Sequence, residues 1–262
     1  MNYALVTGAS SGIGLAISGE LARRGYSLLM VSNEETQLAN AAHELESKYG
    51  IKAIALYMDL AHIDSAQSLF DYCTANKLSI EILVNNAGIF FFKDIIDTPS
   101  ERVQTMINLH VHTPAMLSRL IAAQIIAENR TGYILNIASI ASRMMMPGIT
   151  LYSATKSFLH CFSRAMRHET LERGVSISTI SPGAVATDLY NLSPRYMKLG
   201  IRFGIIITPE RLASLAIKKM FQRKAEFIPG GCMNRLFILL VNALPESLIR
   251  RLKKKIDTAI KR

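Results

Sequence analysis

The stretch Thr7-Gly8-Ala9-Ser10-Ser11-Gly12-Ile13-Gly14 follows a short apolar run and precedes a helical pattern. Glycines at such a strand-to-helix turn allow a tight bend, and they let the backbone come close to a pyrophosphate. The helix that follows presents its unpaired N–H groups and the positive end of its dipole to the same point. The stretch therefore predicts a nucleotide-binding loop in an α/β fold, although a glycine-rich turn can also serve packing alone.

Apolar runs alternate with helical patterns along most of the chain. The predicted strands are Tyr3–Thr7, Leu28–Ser32, Ala53–Met58, Ile80–Asn85, Gly132–Ala138, Val175–Ser181 and Glu226–Ile228. The predicted helices are Gly14–Arg24, Glu34–Tyr49, Ser65–Asn76, Ser100–Asn129, Leu151–Glu172 and Glu210–Gln222. Nearly continuous apolar strands are typical of burial on both faces. The alternation predicts one Rossmann-type domain over residues 1–262, a doubly wound parallel sheet of about seven strands with helices on both faces.

Composition narrows the class of protein. Half of the 262 residues are hydrophobic and 19% are charged, which excludes a disordered chain and allows a sizeable core. The chain has three cysteines, Cys73, Cys161 and Cys232, which are far apart in the sequence. They form no CxxC metal or redox pair, and no disulfide framework is expected. An apolar run from Tyr3 leaves no room for a signal peptide. We therefore predict a cytoplasmic protein.

The positive charge of the chain is concentrated in one segment. The net charge is +10, and residues 250–262 contain seven basic residues against the single acid Asp257. A nucleic-acid-binding domain would spread its positive charge over a folded face. We therefore expect no nucleic-acid partner.

Tyr152-Ser153-Ala154-Thr155-Lys156 lies in a helical pattern, and residues four apart on a helix share one face. A free tyrosine has a pKa near ~10, and a nearby ammonium favours the phenolate and lowers that value. The pair can then act as a general acid and base in carbonyl or alcohol chemistry, although an isolated pair with this spacing is more often ordinary helix surface. Ser139 ends the preceding strand, at the edge of the sheet where ligands of such folds bind.

Seven motifs occur in the order kept by the short-chain dehydrogenase/reductase superfamily, and the chain resembles its cytosolic single-domain branch over residues 1 to about 230. The matching pieces are Thr7–Gly14, Asp59-Leu60, Asn85-Asn86-Ala87-Gly88, Asn108, Ser139, Tyr152 with Lys156, and Pro182-Gly183 followed by Thr187. The resemblance implies an NAD(P)-dependent oxidoreductase that interconverts a ketone and a secondary alcohol.

The resemblance also implies a role for each catalytic residue. Tyr152 would be the general acid and base, and Lys156 would lower its pKa and bind the nicotinamide ribose. Ser139 would orient the substrate oxygen. Asn108 would hold a water that links Lys156 to solvent, although an asparagine there can also stabilise a helix kink.

The implied cofactor residues come from five segments that follow predicted strands, and from the predicted helix of Tyr152 and Lys156. They are Gly8, Ser10, Ser11, Gly12, Ile13, Gly14, Ser32, Asn33, Asp59, Leu60, Asn86, Ala87, Gly88, Pro182, Gly183, Val185 and Thr187, together with Tyr152 and Lys156. In the family, the acidic pair holds the adenine, the tetrapeptide lies against the adenosine ribose, and Thr187 bonds the nicotinamide carboxamide. From the residues alone, Asn86–Gly88 could equally be a tight turn and Thr187 a helix cap.

The end of the second strand predicts the choice of cofactor. An acid there binds both ribose hydroxyls and repels a 2′-phosphate, which selects NAD. Ser32 occupies that position, and Asn33 stands where many NADPH-dependent members of the family carry Arg. Glu34 and Glu35 follow, and they are typical of the first turn of the next helix. The missing acid favours NADP, and NAD stays an alternative.

Apolar residues flank the predicted substrate site. Residues 188–208 lie where the family has its variable substrate lid, and Phe90-Phe91-Phe92 and Met144-Met145-Met146 lie on either side. They favour reduction of an apolar ketone of fatty-acyl, steroid-like or aromatic type, although core packing or a subunit contact explains them equally well. The alternative function is a nucleotide-binding regulator that has lost catalysis, and the complete set of catalytic residues argues against it.

Assembly and the C-terminal segment complete the predictions. Family members usually pair through two long helices, here Ser100–Asn129 and Leu151–Glu172, which predicts a homodimer or homotetramer. Residues 231–262 form an amphipathic basic extension that either covers the pocket or a second subunit, or makes a peripheral membrane contact. Its apolar run is far shorter than the ~20 residues of a membrane span. No metal site is predicted, because His110 and His112 would diverge on a helix.

Overall fold

Seven strands form a single sheet in the computed structural model. They are β1 (Asn2–Thr7), β2 (Ser27–Ser32), β3 (Ala53–Tyr57), β4 (Ser79–Asn85), β5 (Gly132–Ile137), β6 (Val175–Ile180) and β7 (Glu226–Phe227). All neighbouring strands are parallel, in the order β3-β2-β1-β4-β5-β6-β7. The structure describes residues 2–187, 198, 200–202 and 205–260, without the side chains of residues 232, 252 and 255–260. The predicted doubly wound parallel sheet is confirmed.

Helices pack on both faces of this sheet. The α-helices within the described residues are α1 (Gly12–Ala22), α2 (Glu35–Tyr49), α3 (Ser65–Ala75), α4 (Ser100–Ile107), α5 (Thr113–Ala127), α6 (Thr150–Thr170), α7 (Pro209–Phe221), α8 (Gly231–Asn242) and α9 (Glu246–Ile260). Alternate residues of a strand point to opposite faces of the sheet and pack against different helices. Ala4 and Val6 of β1 pack with α1, α2 and α7, whereas Tyr3 and Leu5 pack with α3, α5 and α6. This period of two produces one core on each face.

The strand order reverses between β1 and β4. After β1 the chain adds β2 and β3 on one side, and it then returns to place β4 and the later strands on the other side. The loops that leave β1 and β4 therefore diverge and open a crevice at the carboxyl edge of the sheet. The glycine loop and the 85–88 turn both lie at this crevice.

Two local predictions were wrong. The strand β3 is an edge strand and is only half-buried, with Tyr57 57% exposed, so it is not covered on both faces. The predicted helix Ser100–Asn129 is broken by a π turn at Asn108–His112. Pro114 lacks an N–H and its ring clashes with the carbonyl four residues earlier, which disfavours ordinary helical bonding at this point. The N–H of Thr113 bonds the carbonyl of Asn108 instead.

The C-terminal part is helical within the described residues. Helices α8 and α9 occupy the predicted basic extension, and Pro245 separates them. Among the residues that the structure describes, no helix is long and apolar enough to cross a bilayer. Residues 188–197, 199, 203 and 204 of the predicted lid lie outside the described residues.

Candidate active site

The glycine loop requires glycine where φ is positive and where the backbone packs too closely for a Cβ. Gly8 and Gly12 adopt positive φ values of 64° and 54°, which favour glycine. A Cβ on Gly14 would lie 2.0 Å from the carbonyl oxygen of Gly8, and one on Gly8 would lie 2.9 Å from the Cα of Ala87. The loop is therefore packed tightly against the turn after β4, and α1 begins within it.

The turn after β4 holds the glycine loop in place. The Thr7 hydroxyl accepts the N–H groups of Asn86 and Ala87, both at 3.0 Å, and it donates to the carbonyl of Val84 at 3.2 Å. The Asn86 amide donates to the carbonyls of Thr7 at 2.9 Å and Gly8 at 3.1 Å. The side chain of Asn86 thus acts on the loop itself, in line with the tight-turn interpretation.

Ser32, the residue predicted to select the cofactor ribose, lies beside the same loop. The hydroxyls of Ser10 and Ser32 share a hydrogen bond of 2.9 Å, and the Ser32 oxygen accepts the N–H of Glu34 at 3.2 Å. Glu34 lies before the first residue of α2, which is Glu35, and it lines the cleft. Glu34 is thus the N-cap residue of α2, at the predicted start of the helix, and it also places an acidic residue at the rim of the cleft.

The predicted residues surround one cleft of about 570 Å³. That volume lies in the range of small-molecule and cofactor sites. The predicted residues that line it are Gly8, Ser10, Ser11, Gly12, Ile13, Ser32, Asn33, Asp59, Leu60, Asn86, Ala87, Gly88, Ser139, Tyr152, Lys156, Pro182, Val185 and Thr187. Gly14, Asn108 and Gly183 are not among its lining residues.

Lys156 is buried at the inner end of this cleft. Its ammonium donates to the carbonyl of Ile137 at 2.9 Å and lies 5.8 Å from the centre of the Tyr152 ring. Burial lowers the pKa of Lys156 to about 8, because the charged form loses its hydration. The cation remains favoured at neutral pH and stabilises negative charge on a neighbouring group.

Ser139 and Tyr152 line the same cleft as Lys156. The Ser139 oxygen accepts the N–H of Ala141 at 3.1 Å, where a short 3₁₀ turn begins after β5. A hydroxyl that accepts one bond still has its own proton to donate to a ligand oxygen. The ring of Phe90 meets the Tyr152 ring edge-on at 5.0 Å and gives it an apolar wall. Ser139 and Tyr152 are each 6% exposed.

His110 is a lining residue that the sequence analysis treated only as a metal candidate. Its Nε2 accepts the N–H of Ile89 at 3.0 Å, so Nδ1 carries the proton and donates to the Thr155 hydroxyl at 3.1 Å. That hydroxyl donates to the carbonyl of Tyr152 at 2.9 Å. Burial, assisted by the charge of Lys156, holds the pKa of His110 well below its ordinary value. Its spacing in the sequence carried no signal of this role.

Asn108 lies outside the cleft, at the first residue of the π turn. Its amide donates to the carbonyl of Ala61 at 2.7 Å and its oxygen accepts from Gln104 at 2.8 Å. These bonds tie the turn to the loop after β3, as the helix-kink interpretation expects. The relay role of Asn108 stays a prediction.

The loop after β6 closes the other side of the cleft. A Cβ on Gly12 would lie 3.2 Å from the Cγ2 of Thr187, so Thr187 sits directly against the glycine loop. The N-cap of α7 is Thr208, whose oxygen accepts the N–H of Arg211. Gly183 faces the side chain of Asn234 in α8 rather than the cleft.

These features fit a dinucleotide. The glycine loop leaves no side chain between the backbone and a pyrophosphate, and the first turn of α1 offers N–H groups without partners inside the helix. Two buried serine hydroxyls and an aspartate, Asp59, stand along the outer part of the cleft. No group of three metal-ligating side chains occurs among the residues that the structure describes.

Comparisons with known proteins agree with this site. The profile of a family described as short chain dehydrogenase matches residues 2–195. A very-long-chain 3-oxoacyl-CoA reductase of Anas platyrhynchos is 31% identical over 99% of this chain and 81% of its own length. An NADP-dependent 3-hydroxy acid dehydrogenase of Schizosaccharomyces pombe is 33% identical over 70% of this chain and 71% of its own length.

A solved structure of a 7β-hydroxysteroid dehydrogenase superposes with a TM-score of 0.84. It covers 96% of both chains at 25% sequence identity. The family profile and the sequence relatives place the chain in one family of enzymes.

Proposed function

The chain belongs to the short-chain dehydrogenase family of oxidoreductases, and on that premise we propose that it reduces an apolar ketone to a secondary alcohol with NADPH. One observation carries the proposal. Ser139, Tyr152 and Lys156 are all buried, and they line the cleft that the glycine loop opens. Proton donation and cofactor binding would therefore occur in one site.

The chemistry divides among these side chains. When bound, the nicotinamide supplies a hydride to the carbonyl carbon. The Ser139 proton bonds the carbonyl oxygen and stabilises the negative charge that develops there. The Tyr152 hydroxyl then delivers its proton to this oxygen, and the Lys156 cation stabilises the phenolate that remains. In the oxidative direction Tyr152 would take the proton from the alcohol.

The cofactor proposal rests on the end of β2. Ser32 and Asn33 line the cleft and put hydrogen-bonding groups, rather than an acid, where a 2′-phosphate would lie. The relative from Schizosaccharomyces pombe is named for NADP, which supports the same choice. Glu34 lines the cleft nearby, and its carboxylate repels a phosphate. We therefore expect a modest preference for NADPH over NADH.

The proposed substrate is a 3-oxoacyl thioester. A small cluster joins Met106 and Ala141 to Tyr152, with Phe90 and Phe91 packed against it. This wall beside the reacting group suits an alkyl chain better than a sugar. The name of the relative from Anas platyrhynchos, a very-long-chain 3-oxoacyl-CoA reductase, supports an acyl substrate. Steroid-like and aromatic ketones are the competing apolar classes.

Two further proposals concern partners and location. The chain would act in the cytoplasm as a homodimer or homotetramer through the helices that flank the π turn and through α6. A peripheral membrane contact would involve α8 and α9, as argued below. The rival function is a nucleotide-binding regulator of the same fold, and a measured turnover would exclude it.

Tyr152→Phe tests the chemistry directly. The change keeps the ring and removes the proton, so kcat should fall at least ~10²-fold while NADPH affinity stays close to that of the parent. Tyr57→Phe is the control, because Tyr57 is exposed on the edge strand. Both variants are assayed by loss of NADPH absorbance with a 3-oxoacyl thioester. Near-normal turnover by Tyr152→Phe would remove Tyr152 from the mechanism.

A substrate series tests the class of ketone. We expect kcat/KM to rise with acyl chain length, because each added CH₂ buried against apolar residues contributes about 0.8 kcal/mol. Steroid and aromatic ketones of similar size serve as comparisons. A flat dependence on chain length would exclude the acyl proposal without excluding ketone reduction.

A further inference from the structure

Helix α8 packs against two loops at the carboxyl edge of the sheet, where the cleft opens. The side chain of Asn234 in α8 packs beside Gly183 in the loop after β6. A Cβ added to Gly183 would lie 3.2 Å from the amide nitrogen of Asn234. At the other end, the amide of Asn242 donates to the carbonyl of Arg143 at 2.7 Å. Arg143 closes the 3₁₀ turn that Ser139 begins. The inner face of α8, which also buries Ile238, is thus attached to two loops of the active site.

The outer face of the same helix is apolar and exposed. Met233, Leu236, Phe237, Leu239 and Leu240 are between 47% and 70% exposed. Four of them follow one another at helical spacing, so they form a continuous strip rather than scattered side chains. Contiguous apolar patches of this kind mark a contact with another apolar surface.

Helix α9 adds positive charge next to this strip. It contains five basic residues and two acids. Arg250, Arg251 and Lys254 are exposed, and Lys253 pairs with Asp94 at 2.9 Å. Asp94 follows β4 in the chain, so this ion pair attaches α9 to a third loop at the carboxyl edge of the sheet. Through these contacts both helices lie at the carboxyl edge of the sheet, on the side where the cleft opens.

We propose that α8 and α9 form a membrane-docking surface, which holds the enzyme on an anionic bilayer with the mouth of its cleft at the lipid. The apolar strip of α8 would enter the boundary between headgroups and acyl chains, and the cations of α9 would contact anionic headgroups. The enzyme would then take long-chain ketone substrates from the membrane. This last statement rests on the proposed function, whereas the docking itself does not.

Charge favours a lipid over a second copy of the chain. A two-fold interface through the strip would put the same surface on both subunits, and with it two strongly basic helices. An anionic headgroup layer complements that charge instead. Each cation near such a surface strengthens binding about five-fold at low salt. With the mouth of the cleft at the lipid, an apolar substrate would pass from the membrane into the active site.

Co-sedimentation of the full chain with vesicles tests the docking. Vesicles of phosphatidylcholine alone are compared with vesicles that also contain phosphatidylglycerol, at low and high salt. The variants are Leu236→Asp with Leu240→Asp, and Arg250→Gln with Arg251→Gln. Ile63→Asp is the control, because Ile63 is 53% exposed after β3, away from α8. Thermal melting and NADPH binding without vesicles report whether each variant is folded.

We expect salt-sensitive binding to the anionic vesicles. The aspartate pair should weaken it at least about ten-fold, and the glutamine pair should weaken it about twenty-five-fold. Ile63→Asp should bind like the parent. Absent binding at low salt would overturn the proposal, as would unchanged binding by the folded aspartate pair. Loss of a dimer in that variant, without vesicle binding by the parent, would assign the strip to a second copy.

A second measurement separates docking from catalysis. KM for a vesicle-borne long-chain ketone should rise in the aspartate pair, whereas KM for a short soluble ketone should not. A rise for both substrates would place the effect in the cleft and overturn delivery from the membrane. Vesicle binding without turnover of any ketone would instead contradict the proposed function and leave the docking standing.

Discussion

His110 links three segments that must keep their relative positions for catalysis. It accepts a hydrogen bond from Ile89 after β4, and through the hydroxyl of Thr155 it reaches the carbonyl of Tyr152 in α6. The ring is 1% exposed, and its pKa is held well below the ordinary value by burial and by the charge of Lys156. A histidine that stays neutral keeps one tautomer, so these bonds do not change with pH in the working range.

Lys156 predicts the alkaline limit of the reaction. Its pKa is lowered to about 8 by burial, so the ammonium is present below that pH and lost above it. We expect kcat/KM for reduction to fall as the pH rises through about 8, because the phenolate of Tyr152 loses its stabilising cation. The measurement is kcat/KM from pH 6 to about 10. A profile that stays level to pH 10 would contradict this role.

Unfolding of the protein would not explain this loss of kcat/KM at alkaline pH. The folded pKa of Lys156 lies below the value of about 10.5 for a free lysine. Between these values the folded state binds fewer protons than the unfolded one, so this group makes the free energy of unfolding rise with pH. Melting temperatures over the same pH range serve as the control.

Ser32 predicts the discrimination between cofactors. Ser32→Asp puts a carboxylate next to Ser10 and the cleft, where it repels a 2′-phosphate and accepts the hydroxyls of a ribose. NADPH should bind more weakly and NADH more tightly, as measured by isothermal calorimetry. Ser32→Ala separates the loss of the hydroxyl from the gain of charge. An unchanged ratio of affinities would show that Ser32 does not face the ribose.

At the scale of the elements, the π turn at Asn108–His112 changes which side chains of the long helix face the cleft. It interrupts the long helix before Pro114, and it turns Leu109 and His110 into the cleft while Asn108 bonds the loop after β3. Beyond the turn, α5 packs on the sheet, whereas α4 packs against α6. The irregular turn is therefore part of the site rather than a defect, as is common for π turns.

Helix α6 predicts the mode of assembly. Phe158 is 38% exposed and its ring stacks on Phe162 at 5.6 Å, on the helix that carries Tyr152. We expect Phe158→Asp to break a dimer built on α6, because the carboxylate would be buried at the interface without a partner. Light scattering should report 29.0 kDa for the variant and a multiple of that mass for the parent. A parent that is monomeric at assay concentrations would exclude the interface.

At the scale of the whole molecule, one ionic cluster joins the active-site turn to the edge of the sheet. Glu226 in β7 pairs with Arg143, and its carboxylate lies 3.4 Å from His160 and 3.8 Å from Arg164 in α6. Burial by itself would raise the pKa of Glu226, but the interactions with His160 and Arg143 outweigh it and lower the pKa to about 2. The cluster thus depends on the ionised carboxylate.

This cluster predicts how stability depends on acid. A carboxyl group with a depressed folded pKa contributes stability above its unfolded pKa, and that contribution is lost as the pH falls toward about 2. Glu226→Gln should therefore lower the free energy of unfolding at pH 7 by about 1–3 kcal/mol and flatten its decline between about pH 4.5 and 2. Denaturant titration measures both. Glu44→Gln, on the exposed face of α2, is the control, and equal effects of the two changes would exclude the cluster.

The sequence by itself was enough for the fold and for most of the cleft. Strand and helix periodicity reports burial locally, and the motifs occur in chain order at the ends of strands, so a parallel sheet brings them to one edge without further information. This is why residues as distant as Gly8, Ser139 and Lys156 could be assigned to one site from the order of the motifs and the family resemblance that it carries. The break in the helix before α5 also had a local signal, Pro114, that could have been used.

Only the tertiary structure decided the roles that depend on neighbours from distant parts of the chain. His110 acquires its partners from the loop after β4 and from α6, Glu34 lines the cleft from the N-cap of α2, and Asn108 bonds the loop after β3. The same holds for α8, whose apolar sequence is compatible with a core, a subunit contact or a lipid surface. Which of its faces packs on the rest of the chain is set by contacts such as that of Asn242 with Arg143, 99 residues away, and sequence periodicity cannot report such a contact.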